Sequence, residues 1–321
     1  MHQNLWLHRF AVFLAGATLI LIAAGASVTS TGSGLAVPDW PLSFGQFFPP
    51  MVGGVLYEHG HRMIAGAIVV LTIILTIWIV RKEKRRWLKK MSVVALVCLF
   101  AQAALGGITV LLKLPTAISV SHAGLAQIFF CLTVTLAFVT SKGWFESRRK
   151  FTRAEGLPIR GLALATSIAI YSQIILGAVM RHTGAGLAIA DFPLTHGGLF
   201  PAYFSQPIVI HYLHRVGAFG VTVIVVALIV QVMRGHRADD RFKRPAIWLA
   251  GLLFFQIFLG ALTIWTKRAV TPTTAHVVVG AAVLAASLIL TLRAYRFLPA
   301  KVTQKNPQVI TSEVGQGVLS G

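Results

Sequence analysis

The sequence predicts an all-α integral membrane protein: eight transmembrane helices arranged as two parallel, pseudo-symmetric four-helix bundles. Three observations carry that prediction. The 321 residues are 56% hydrophobic with a mean hydropathy of +0.76, and only 12% are charged. A chain this apolar has too little polar surface to cover a water-facing body, so its solvent is largely lipid. Eight apolar runs reach spanning length, and the chain repeats itself at an offset of about 152 residues.

The runs cover 11–29, 54–80, 91–112, 118–140, 161–180, 207–233, 245–266 and 274–292. Each is long enough for a helix to cross the hydrocarbon core of a bilayer. The first resembles a secretory signal, because Ala23, Ala24 and Ala26 follow an apolar stretch. Its N-terminal flank holds only Arg9, however, and the repeat includes its end, so it reads as a mature helix.

Charge orients the spans. The loop Arg81–Lys90 holds seven Lys/Arg, Lys142–Arg160 six, Arg234–Arg244 five, and the segment from Arg293 onward four. The alternate segments 30–60, 113–117, 181–206 and 267–273 hold none, one, one and two. The positive-inside rule puts both termini and the basic loops in the cytoplasm. The net charge of +20 is thus a topology signal matched to anionic lipid, with no nucleic acid as partner. Cys98 and Cys131 both sit inside apolar runs and read as core residues, which leaves no loop disulfide framework.

The repeat organises the rest. Gly25-Ala26, Thr31-Gly32-Ser33-Gly34-Leu35-Ala36, Asp39 and Pro41-Leu42 recur as Gly177-Ala178, Thr183-Gly184-Ala185-Gly186-Leu187-Ala188, Asp191 and Pro193-Leu194. His61-Arg62 recurs as His214-Arg215; Gln102, Leu105-Gly106, Thr109 and His122 recur as Gln256, Leu259-Gly260, Thr263 and His276. Each half holds four spans, an even number, so both enter from the same side and are parallel repeats. The expected domains are 1–141, a basic linker 142–158, 159–300, and a disordered cytoplasmic tail 301–321. Glycines within the spans, among them Gly66, Gly106, Gly107 and Gly260, are expected to let helices approach closely.

Ionisable groups inside spans are costly and point to function. His61, His122, His214 and His276 lie toward the outer ends of the second and fourth spans of each half. Two imidazoles at comparable depth on two helices are what a bundle needs to hold a haem iron. The plainer reading is a hydrogen-bonded packing histidine, which the fourfold repetition disfavours. Zinc or copper would need more ligands than one pair provides. Arg62 and Arg215 follow the second-helix histidines and suit either a haem propionate or snorkelling to the interface. At i−3 from the histidine the halves differ, with Glu58 in one and His211 in the other. Glu58 is the only acid in any span; it reads as a site carboxylate, against a hydrated acid paired with Arg62. The loops Thr31–Leu42 and Thr183–Leu194 suit either a pocket mouth or a headgroup-level position. His59, His182 and His196 are outer-side histidines without repeat partners.

The run Val28-Thr29-Ser30-Thr31-Gly32-Ser33-Gly34-Leu35-Ala36-Val37-Pro38-Asp39-Trp40-Pro41, with Glu58-His59-Gly60-His61-Arg62, resembles the bacterial haem A synthase family. So do His122, His211-Tyr212-Leu213-His214-Arg215 and Thr274-Ala275-His276, and the resemblance covers all eight spans. It implies that His61 and His122, with Arg62, attend the substrate haem O, and that His214 and His276, with Arg215, hold a haem b cofactor. It implies oxidation of the C8 methyl of haem O by successive hydroxylations to a geminal diol, which loses water to leave the formyl of haem A for haem-copper oxidase biogenesis. Glu58 matches the family's acidic residue beside the substrate. Haem O synthase, terminal-oxidase assembly factors and a second copy of the chain are the partners it suggests. Many members carry a cysteine pair in an outer loop; this chain has none, so a thiol electron route is excluded. Residue chemistry alone reaches two bis-histidine sites, which also describes a membrane di-haem cytochrome b. A parallel-repeat transporter with proton-relaying histidines is a third reading.

Overall fold

A computed structural model describes residues 4–145 and 159–298. They form α1 (Leu5–Ser30), α2 (Gly54–Lys82), α3 (Arg86–Leu111), α4 (Thr116–Thr140), a single turn α5 (Lys142–Phe145), α6 (Ile159–His182), α7 (Gln206–His236), α8 (Asp240–Trp265) and α9 (Val270–Phe297). All but α5 are long and apolar enough to cross a membrane. The helices outrun the apolar stretches, as at Leu5 and Arg86, because backbone hydrogen bonding continues where the hydrocarbon ends. There the long basic side chains reach water while their stems stay on apolar surface.

Local chemistry explains the helix starts. Asn4 caps α1, its side chain accepting from Leu7 N at 3.1 Å, and Asp239 caps α8 by accepting from Arg241 N. Pro245 lies inside α8 and has no N–H to offer the carbonyl of Arg241 four residues back. Arg293 of α9 donates to that same carbonyl, so a ladder bond lost within one helix is replaced from its neighbour.

Each half closes into a ring. In the first, α1 packs on α2, α2 on α3, α3 on α4, and α4 back on α1; in the second, α6, α7, α8 and α9 do the same. The halves meet through α1 with α9, α4 with α6, and α4 with α9. Exchanging the halves turns the α1–α9 contact into α6–α4 and leaves α4–α9 unchanged, which is the contact pattern of a pseudo-two-fold axis between α4 and α9. The seam is apolar, with Ile22, Phe130, Val134 and Ala281 buried together. At Gly124 it is also close: a methyl group there would stand 2.9 Å from Ile175 Cδ1, and the Tyr171 hydroxyl donates to the Gly124 carbonyl at 3.4 Å.

The glycine expectation needs correcting at Gly66, where nothing lies within 4 Å of a would-be Cβ. Gly106 and Gly260 seat histidine rings, and Gly107 receives the Trp40 indole; these sites admit side chains from a neighbour, not a second backbone. Of the expected linker 142–158 only Lys142–Phe145 is described, and the expected tail 301–321 lies outside the described residues.

Candidate functional site

The four repeat-related histidines start from helix geometry. His61 and His122 lie about two turns into α2 and α4, and His214 and His276 about two turns into α7 and α9. These are the diagonal helices of each ring, separated by α1 and α3, or by α6 and α8. Within each pair the imidazoles are close enough to interact electrostatically. Each ring leans on a glycine of the preceding helix. A methyl group at Gly25, Gly106 or Gly177 would stand 3.0 Å from Cε1 of His61, His122 or His214, and one at Gly260 would stand 3.2 Å from Cε1 of His276. Nine in ten real Cβ contacts are looser than that, so the glycines are what admit the rings.

A glutamine amide attends three of the rings. Gln102 Nε2 lies 3.3 Å from His122 Nε2, Gln256 Nε2 3.4 Å from His276 Nε2, and Gln173 Nε2 3.0 Å from His214 Nδ1. His276 Nδ1 is also 3.2 Å from the Gln256 carbonyl, a contact that holds a proton on Nδ1 and leaves the Nε2 lone pair facing the Gln256 amide. His61 Nδ1 and His122 Nδ1 are buried without a partner. These features fit axial ligation of a porphyrin iron, for which the macrocycle brings four nitrogens and the protein needs only two imidazoles. Among the described residues no three His, Cys, Asp or Glu gather around a common point. Cavities of about 440 and 400 Å³ lie elsewhere, the first bordered by His8, Lys142, Arg241 and Arg293, the second by Ser27, Val270 and Thr274.

The loops between α1 and α2 and between α6 and α7 are pinned by the residues beside the histidines. Arg62 donates to the carbonyls of Asp39 (2.7 Å), Leu42 (2.9 Å) and Val37 (3.1 Å), and to Glu58 Oε1 at 2.6 Å. Arg215 donates to the repeat-equivalent carbonyls of Asp191 (2.7 Å), Leu194 (2.8 Å) and Ile189 (3.1 Å). Both arginines are therefore committed to loop backbone, a role that sequence reading missed because carbonyl acceptors twenty residues away leave no side-chain signature. Glu58 is 3% exposed, and its other oxygen accepts from Val37 N at 2.8 Å. His211, 2% exposed, takes the same place by accepting from Ile189 N at 3.2 Å. Glu58 and His211 are thus equivalent anchors of different charge.

The loop tips repeat this precision. The Asp39 carboxylate accepts from Phe44 N (2.7 Å) and Gly45 N (2.9 Å), Asp191 from His196 N (2.9 Å) and Gly197 N (2.8 Å). Those N–H groups, Gly45 and Gly197 foremost, hold both carboxyls below the ordinary aspartate value. The Trp40 indole lies over Gly107 of α3, and Phe192 meets Trp265 of α8 edge-on at 6.2 Å. Each loop therefore reaches across the end of its own bundle. Of the unassigned histidines, His59 is buried with Nδ1 2.7 Å from Ser43 Oγ, His196 stacks on Tyr203, and the His182 carbonyl accepts from Thr116. The glutamines were legible in principle: Gln102 and Gln256 each precede their histidine by twenty residues.

Fold and site define a polytopic helical membrane protein whose two repeated bundles each hold a pair of imidazoles on diagonal helices beneath a pinned loop. The profile of the COX15-CtaA family, described as cytochrome oxidase assembly protein, matches residues 52–288, and the chain belongs to that family. Curated relatives carry a more particular name. The chain is 31% identical to the heme A synthase of Alkalihalophilus pseudofirmus, over 87% of this chain and 93% of the relative. It is 32% identical to that of Symbiobacterium thermophilum over 78% and 84%, and 29% identical to that of Bacillus pumilus over 80% and 85%.

Proposed function

We propose that this protein is a haem A synthase, an oxidoreductase that converts the C8 methyl of haem O to the formyl of haem A for terminal-oxidase assembly. The observation that carries the proposal is the pairing of His61 and His122 with Glu58, the only carboxylate within an apolar span, in one of two repeated bundles. Residues 1–141 form the substrate half and 159–300 the cofactor half, with both termini cytoplasmic. His61 and His122 would hold the substrate haem, with Glu58 beside them on the same helix as His61. A haem b on His214 and His276 would supply one-electron redox chemistry when bound. Glu58 lies one turn from His61 and, paired with Arg62 at 2.6 Å, offers a carboxylate where electrons leave the porphyrin, or a base for a released proton. The Trp40 loop excludes bulk water from that end of the bundle.

The matching imidazole pairs favour a second reading, a di-haem cytochrome b that only passes electrons. Expression of the full chain with a haem O supply, followed by mass analysis of extracted haems, separates the two. Haem A, or its singly hydroxylated precursor, is the expected product; unaltered haem O alongside bound haem overturns the synthase reading.

A further inference from the structure

The two halves differ in charge at the end where the loops meet the histidines. The first carries Arg62 and Lys113 against Asp39 and Glu58; the second carries Arg181, Arg215, Lys267 and Arg268 against Asp191 alone. The two added cations occupy repeat positions that are neutral in the first half. Arg181 stands at the place of Thr29, and Arg268 at that of Leu114. The backbone equivalence is kept: Leu114 N donates to Thr109 O, and Arg268 N to Thr263 O. Leu114 packs over Gly34 just as the Arg268 side chain packs over Gly186.

Arg181 lies one turn beyond Gly177, the seat of the His214 ring, and is within electrostatic reach of both His276 and Arg268. One of its terminal nitrogens donates to Ala26 O (2.8 Å) and Ser30 Oγ (2.7 Å) of α1, which fixes the side chain at the seam. Its Nε is buried without a partner, and so is Nε of Arg215. Among the described residues no carboxylate stands within salt-bridge distance of Arg181, Arg215 or Arg268, whereas Arg62 is neutralised by Glu58 at 2.6 Å. Half-buried guanidinium groups without a counter-charge are costly, and their planar forks are matched to carboxylates.

We infer that Arg181 and Arg268 clamp the carboxylates of a porphyrin held by His214 and His276, so that the second half retains its porphyrin while the charge-balanced first half lets substrate and product exchange. The inference rests on the reading of the second half as the cofactor half. Charge at the loop end, rather than the number of axial histidines, then decides which bundle keeps its porphyrin, since both bundles offer two imidazoles.

The test uses the full-length protein produced without haem and titrated with protohaem or with its dimethyl ester, whose carboxylates are masked. His214→Ala identifies the signal belonging to the second half. The unmodified protein should bind protohaem there at least tenfold more tightly than the ester, and the Arg181→Gln/Arg268→Gln variant should bind the two alike, with an unchanged bis-imidazole spectrum when saturated. Haem transfer from the variant to apomyoglobin should be at least tenfold faster, and Arg181→Lys should restore part of the retention. No preference in the unmodified protein, or an undiminished preference in the variant, overturns the clamp alone. Full haem content in both His214→Ala and His276→Ala would instead overturn the assignment of the cofactor half, and the clamp with it. The comparison of acid with ester on the unmodified chain does not need the arginine variant to fold.

Discussion

At the residue scale, Glu58 does two things that substitution separates. It anchors the loop through Val37 N, as His211 anchors Ile189 N, and it places a negative charge one turn from His61. Glu58→Gln keeps an acceptor for Val37 N but loses the charge; Glu58→His copies the second half's own anchor. Both variants should insert and keep the haem of the second half, yet stall conversion at haem O or a singly hydroxylated product, as mass analysis would show. Full haem A production by either would remove Glu58 from the chemistry. The glycine seats make a second prediction. Gly177→Val places branched carbons against a ring that already stands 3.0 Å from a bare Cβ, an overpacking worth about 1–3 kcal/mol that displaces His214. The low-spin spectrum of the resident haem should disappear from Gly177→Val, whereas Gly16→Val, with nothing within 4 Å, should keep it.

At the element scale, the loops are tied by ionised groups. Backbone N–H donors depress the Asp39 and Asp191 carboxyls, so the folded loop favours the charged form more than the unfolded chain does. That stabilisation is complete above the ordinary aspartate value of about 4 and is lost as pH falls through the lower folded value. Protection of the loop amides of Phe44 and Gly45 from hydrogen exchange should therefore be level from pH 8 to 5 and decline only below about 4. Asp39→Asn should show weakened protection throughout, without the acid transition in that loop. A decline centred near pH 6 would assign the hold to a histidine instead. The loop contacts explain why Arg62 and Arg215 directly follow His61 and His214: one helical step carries the chain from the imidazole to the loop it must hold.

At the scale of the whole molecule, duplication supplies the frame and small asymmetries assign the work. Two closed rings meet on α1, α4, α6 and α9, which leaves α2, α3, α7 and α8 with faces turned to lipid. The orientation follows from Lys/Arg counts, so reporter fusions at Lys89 and Gly198 should lie on opposite sides of the membrane. The same side for both would undo the eight-span topology. Close packing at the seam argues that the halves move as one: Gly124→Leu meets Ile175 and the Tyr171 hydroxyl and should lower thermal stability in detergent by about 1–3 kcal/mol without changing haem spectra in the surviving fold.

The sequence alone determined the eight helices, because lipid leaves the backbone no alternative to internal hydrogen bonding and so writes span length directly into composition. It determined the histidine pairs too, because duplication sets a repeated imidazole apart from a single packing residue. Helix ends ran beyond the apolar limits, since hydropathy records the hydrocarbon edge and not the last backbone bond. Only the tertiary structure decided what the neighbours of those histidines do. Arg62 and Glu58 hold a loop whose acceptors are main-chain carbonyls, which carry no residue identity, and Gly25, Gly106, Gly177 and Gly260 seat rings from other helices. The charge difference was present in the residues from the start. It acquired meaning when folding set Arg181 within electrostatic reach of both His276 and Arg268, because the strength of a charge in a membrane depends on what stands near it.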